Sequence, residues 1–157
     1  MVTVYLDTSS LTGTVEDATF ACSLSRLLNS LTHLPNLTCL DIRRATFHLA
    51  SFFQIITSSS LRMTLHELSV TGRVEMFSSI QQYCAHESPF DNLTKLTLEL
   101  HGGEDPRLEA SLALEPFLRS LAPTLQSLKV TSTTFTLDLS PLFNALSKPD
   151  SLVFFQI

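Results

Sequence analysis

Leu34-Pro35-Asn36-Leu37-Thr38-Cys39-Leu40-Asp41-Ile42 is the stretch that decides the fold. Its leucines come three apart, and then Leu40 and Ile42 come two apart, the spacing that puts both side chains on one face of a strand. The same arrangement returns at Leu65-xx-Leu68-x-Val70, Phe90-xx-Leu93-xx-Leu96-x-Leu98 and Leu125-xx-Leu128-x-Val130, with weaker copies at Val4-x-Leu6 and Leu152-xx-Phe155-x-Ile157. Leu40 to Leu68 and Leu68 to Leu96 are each 28 residues, Leu96 to Leu128 is 32, and Leu128 to Phe155 is 27. A short strand motif recurring at this period predicts a stacked array in which each unit leans on its neighbours.

Between the strand motifs the apolar residues switch to helical spacing. Leu24, Leu27, Leu28 and Leu31 form one stripe; Leu49, Phe52, Phe53 and Ile56 a second; Leu114, Phe117, Leu118 and Leu121 another; Leu139, Leu142, Phe143 and Leu146 the last. A looser group, Met76, Phe77, Ile80, Tyr83 and Cys84, fills the remaining interval. Thr14 before Asp17, Pro116, and Ser140-Pro141 suit helix starts, while Pro123 and Pro149 suit helix ends. Strand, loop, helix and loop in succession require a parallel sheet, because a crossover must carry the chain back between strands.

The 157 residues are 44% hydrophobic and 16% charged, enough apolar material for one continuous core. A formal net charge of -5, with ten Lys and Arg scattered along the chain, argues against a nucleic-acid partner, which needs a basic stripe. Cys22, Cys39 and Cys84 are odd in number and fall at packed positions, as reduced thiols in a reducing compartment would. The N-terminus has no basic start and no sustained apolar run, and no stretch approaches the ~18 apolar residues of a membrane span. A soluble cytoplasmic or nuclear protein is expected. Asn36-Leu37-Thr38 and Asn92-Leu93-Thr94 match the glycosylation sequon, but each reads as the lead-in to a strand with its leucine pointing inward.

The strand motif resembles the leucine-rich-repeat family, and the repeat length with full helices is similar to its ribonuclease-inhibitor-like and F-box subclasses. Irregular spacing, abundant Leu, Ser and Thr, and Leu34-Pro35-Asn36-Leu37-Thr38-Cys39-Leu40 resemble the degenerate repeat regions of fungal F-box proteins. The resemblance implies an α/β fold: a leucine-rich-repeat solenoid of about five βα repeats plus a final strand, with the parallel sheet concave and the helices convex. Residues 1–157 would form a single such domain, a fragment of a longer array. One departure stands out. The family places Asn or Cys five residues after the first strand leucine to tie the turns together; here Ala45, Arg73, His101 and Thr133 stand there, so less regular turns are expected.

In this register the outward strand residues form three columns. They read Thr3, Cys39, Glu67, Lys95, Ser127, Phe154; then Tyr5, Asp41, Ser69, Thr97, Lys129, Gln156; then Asp7, Arg43, Thr71, Glu99, Thr131. Six strands at ~4.8 Å give a face about 25 Å across, the scale of a standard protein patch of roughly 800 Å² per partner. The residues expected to meet a protein partner there are Tyr5, Asp7, Asp41, Arg43, Glu67, Ser69, Lys95, Thr97, Glu99, Lys129, Thr131 and Phe154; Tyr5, Arg43 and Phe154 are the types that anchor hot spots.

No Gly-x-Ser-x-Gly elbow, phosphate-cradling glycine loop or His-Glu-x-x-His motif occurs, so no catalytic residue, cofactor or metal is expected. His66 before its strand reads as a structural histidine at the loop edge. Cys84 with His86 lacks the second ligand pair of a zinc site. His101-Gly102-Gly103-Glu104-Asp105 is the best metal candidate, yet its glycines are explained more simply by a turn in the 32-residue interval. Ser151 to Ile157 ends the sequence in strand-like residues without a polar cap, which predicts self-association through that edge. The function expected from the resemblance is target recognition by an F-box-type ubiquitin-ligase receptor. Its F-box would lie upstream, because no helix here begins Leu-Pro-x-Glu. The alternatives are a scaffold, sensor or inhibitor array unrelated to ubiquitin ligation, or a truncated gene product without retained function.

Overall fold

Alternation of aliphatic and polar residues sends one row of side chains to each face of a strand. The computed structural model describes residues 2–7, 26–27, 29–45, 56, 58–73, 88–101, 114 and 116–132. Within them, strands form at every expected motif: β1 (Val2–Asp7), β2 (Leu37–Ala45), β3 (Glu67–Arg73), β4 (Lys95–His101) and β5 (Ser127–Ser132). All are parallel and lie in sequence order in one five-stranded sheet. The fold is α/β. The strand expected around Leu152 to Ile157 lies outside the described residues.

Register follows the sequence period. Val4, Leu40, Leu68, Leu96 and Leu128 stand side by side, and so do Leu6, Ile42, Val70, Leu98 and Val130. From β2 to β5 every member of these two rows is buried, as are the lead-in leucines Leu37, Leu65, Leu93 and Leu125. Each such side chain contributes roughly 1.5–3 kcal/mol of burial. A one-residue slip of any strand would expose its whole set, which is why the register is fixed.

Helical residues 116–121 with Leu114 carry the clearest amphipathic stripe. Leu114, Phe117, Leu118 and Leu121 are all buried, as the i, i+3, i+4, i+7 spacing requires. Pro116 is itself helical, and Pro123 follows in a turn. Leu31 in helical residues 29–32 and Ile56 are likewise buried. The remaining members of those two stripes, apart from the half-buried Leu27, lie outside the described residues, as do the expected helices around Met76 and Leu139 and the starts at Thr14 and Ser140. One short helix, α1 (Leu61–Thr64), has no counterpart in the sequence reading. It forms because Ser59 Oγ accepts the Leu61 N–H at 3.3 Å and donates to the Ile56 carbonyl at 3.0 Å, while Leu61 and Leu65, one turn apart, are both fully buried.

Lateral ties concentrate at the N-terminal ends of the strands. The N–H of His66 donates to Thr38 O at 2.8 Å, Thr94 to His66 O at 2.9 Å, and Gln126 to Thr94 O at 2.8 Å, extending the ladder by a step before each strand. Asn92 Nδ2 donates to Met63 O at 2.6 Å, and Arg62 Nε meets Asp91 Oδ1 at 3.0 Å. At the opposite ends, Ala45, Arg73 and His101 are still in strand, and the turns expected after them lie outside the described residues. Thr133 lies outside the described residues.

Two expectations change at the β1 side. Val4 and Leu6 are only half-buried, and Leu34 is 37% exposed where its counterpart Phe90 is fully buried. Among the described residues both β1 and β5 have a strand neighbour on one side only, yet the β5 row is buried, so the exposure at β1 is not explained by strand neighbours alone.

Candidate interaction face

The polar half of each alternation forms the other face of the sheet. Thr3, Cys39, Glu67, Lys95 and Ser127 make one lateral column; Tyr5, Asp41, Ser69, Thr97 and Lys129 make the next. Both columns match the sequence register. The third is broken: Asp7 pairs with Arg43, and Thr71 with Glu99 and Thr131, but Arg43 and Thr71 are not partners. Between Ile42 and Ala45 β2 carries one residue more than β3 does between Val70 and Gly72. This β-bulge holds Arg44 at φ 55°, the one non-glycine residue with positive φ among those described. Left-handed backbone costs an L-residue about 1–2 kcal/mol, so the bulge is strained.

None of these fifteen outward residues is buried. That is unusual for parallel strands, which are normally covered on both faces and read as continuous apolar runs. Tyr5 is 65% exposed, and the Arg43 guanidinium stands 5.3 Å from its ring centroid. Arg43 Nε also meets Asp41 Oδ2 at 3.0 Å. A cation held over an aromatic face by a carboxylate is attracted to both, by about 0.5–1 kcal/mol for the ring at an exposed site. Further along, Lys95 Nζ meets Glu67 Oε2 at 3.1 Å across adjacent strands, and Thr71 Oγ1 donates to Glu99 Oε2 at 3.4 Å. Ser69 and Thr97 occupy the centre, and exposed Lys129 stands at the β5 end.

The chain matches no known family, no curated protein and no solved structure.

Of the residues expected to meet a partner, Tyr5, Asp7, Asp41, Arg43, Glu67, Ser69, Lys95, Thr97, Glu99, Lys129 and Thr131 all lie on this face; Phe154 lies outside the described residues. Cys39 corrects its packed assignment: it sits beside Thr3 and Glu67 on the outward face, half-buried and with a free thiol. The sequence reading missed Arg44. Its only signal is a count, since β2 has Arg43 and Arg44 where β3 has Thr71 alone between two core-facing positions.

The remaining candidates are placed as follows. His66 is exposed at the loop edge, its Nδ1 2.7 Å from Thr64 O, with its own backbone N–H and carbonyl both in the ladder. His101 ends β4, and residues 102–105 lie outside the described residues, as do Cys22, Cys84 and His86. Both sequon leucines, Leu37 and Leu93, are fully buried. Among the described residues no cluster of three His, Cys, Asp or Glu is placed to share a metal ion, and no helix is long and apolar enough to cross a membrane.

Proposed function

We propose that the protein is a non-catalytic interaction module of the leucine-rich-repeat kind, with its sheet as the concave wall and its helices on the convex side. In this reading the sheet face recognises a protein target for an F-box-type ubiquitin-ligase receptor inside the cell. The observation that carries the interaction reading is the open polar face. Five parallel strands bury one side of the sheet in aliphatic rows from β2 to β5 and leave fifteen outward residues, none of them buried, on the other, ten of these in two unbroken columns. The period of 28 residues and the leucine spacing support the repeat assignment. The ligase context rests on sequence resemblance alone, and adaptor docking is not assigned to these residues.

A photo-crosslinking amino acid placed in living cells at Ser69 or Thr97 on the face, and at exposed Met63 off it, tests the reading. Expected is a protein adduct from the two face positions that is absent from Met63 and is lost when Lys95→Glu reverses a charge beside them. Identical adducts from all three positions would overturn it. Co-purification of a Skp-type adaptor with this chain alone should fail; its success would reassign ligase assembly to the chain itself.

A further inference from the structure

The height profile of the face describes a trough. Ser69 and Thr97, side by side on β3 and β4, are short. On the N-terminal side of them stands the Glu67–Lys95 ion pair, and on the C-terminal side the Thr71–Glu99 hydrogen bond. Each wall is a cross-strand pair tied to itself; the Glu67–Lys95 wall is neutral as a pair, and the Thr71–Glu99 wall keeps the negative charge of its carboxylate. At one end rise Tyr5 and its stacked Arg43, and at the other Lys129. None of the ion pairs among the described residues uses Lys129.

Dimensions choose the occupant. Wall to wall, four residues along a strand at ~3.3 Å separate the Cα rows by about 13 Å, and the wall side chains subtract several ångströms from that. An α-helix with side chains is ~10–12 Å across and would ride on the walls without reaching Ser69 and Thr97. An extended chain fits between them. Its direction runs across the strands, from Tyr5 to Lys129, over four strand spacings of ~4.8 Å or about 19 Å, which is about six extended residues. An even separation places both end residues on the same side of the peptide, facing the sheet.

We infer that the trough binds an extended segment of a protein, crossing the strands at right angles, with an apolar side chain packed against Tyr5 and an acidic one on Lys129 about six positions away. The hydroxyls of Ser69 and Thr97 meet the polar backbone between. The inference rests on the interaction reading above and adds the partner's chemistry and direction. Lys129 supplies the charge complementarity: Glu67 with Lys95 and Asp41 with Arg43 are paired with one another, Glu99 is met by the neutral Thr71 hydroxyl, and Lys129 is the cation that these ion pairs leave over.

The test is selection of a random dodecapeptide phage library on the full chain, followed by affinity measurement of the enriched peptides on Tyr5→Ala, Lys129→Glu and Ser69→Trp. All three positions are outside the core, and circular dichroism of each variant verifies the fold. Expected is enrichment of an acidic and an apolar residue about six positions apart, a loss of about tenfold in affinity on Tyr5→Ala and on Lys129→Glu, and restoration on Lys129→Glu when the acidic residue is replaced by Lys. Ser69→Trp, which fills the floor, should abolish binding. Peptides blocked by Ser69→Trp but carrying helical i, i+4 spacing, or no charge preference, would overturn the inference and leave the face reading standing. Peptides indifferent to all three substitutions would sink both. No enrichment at all would also overturn the extended-segment inference, while crosslinking to folded proteins judges the face separately.

Discussion

Leu96→Ala should cost about 3–4 kcal/mol, and Leu6→Ala only about 1. Both remove three carbons from the core-facing half of a strand. At ~0.8 kcal/mol per buried carbon the transfer loss is about 2.4 kcal/mol for full burial. Leu96 is fully buried, with Leu68 and Leu128 beside it at the same height, so strands on both sides resist collapse. A void of roughly 60 Å³ left unfilled would add about 1.5 kcal/mol at ~24 cal/mol per Å³. Leu6 is half-buried on the end strand, so it loses about half the transfer energy and opens no closed cavity. Urea unfolding followed by far-ultraviolet circular dichroism and by hydrogen exchange checks both; with a slope of about 2 kcal/mol/M, Leu96→Ala moves the midpoint by about 1.5–2 M. If Leu6→Ala costs as much as Leu96→Ala, or Leu96→Ala costs less than about 1 kcal/mol, the graded core described above is wrong.

Three further substitutions probe polar and backbone features. Thr38 Oγ1 is buried without a hydrogen-bond partner, so Thr38→Val should raise stability by about 1 kcal/mol in the same urea assay, because the desolvated hydroxyl is removed at nearly constant shape. Arg44→Gly relieves the left-handed strain and should leave stability unchanged or raise it by up to ~1 kcal/mol, whereas Arg44→Ile should lower it by about 1–2 kcal/mol; thermal melts of the pair decide, and the opposite order would refute the bulge. Lys95 is 52% exposed, so the coupling of Glu67 with Lys95 in a double-mutant cycle should be no more than about 1 kcal/mol and should fade in concentrated salt.

How far the sequence could be read depended on which physical constraint acted at each position. Leu68-x-Val70 or Leu96-x-Leu98 must bury one row and expose the other, so strand, register and the members of both outward columns follow from spacing alone. The stripe from Leu114 to Leu121 was legible for the same reason. Leu34 was not, because its pattern is that of Phe90 while its exposure is 37% against full burial, a difference with no counterpart in the spacing. The bulge at Arg44 and the helix α1 rest on one extra residue and one serine hydroxyl, features with no periodic signature. The contact of Arg43 with Tyr5 joins residues 38 apart and needs three-dimensional register to be seen. What binds the face is less legible still, since folding asks only that outward residues be tolerated by water.

The strictly sequential strand order has a consequence for how the chain acquires its shape. Every recorded strand pairing joins residues between 27 and 36 positions apart, from Ala45 with Gly72 to Thr3 with Cys39. Loop-closure entropy grows only as the logarithm of length, so closing the longest of these intervals costs about 0.3 kcal/mol more than closing the shortest. No strand has to wait for a distant segment of the polypeptide to be found by diffusion. Folding can therefore nucleate at whichever adjacent pair is most apolar, with β3 and β4 the best placed, and spread outward one strand at a time for a nearly constant entropic toll.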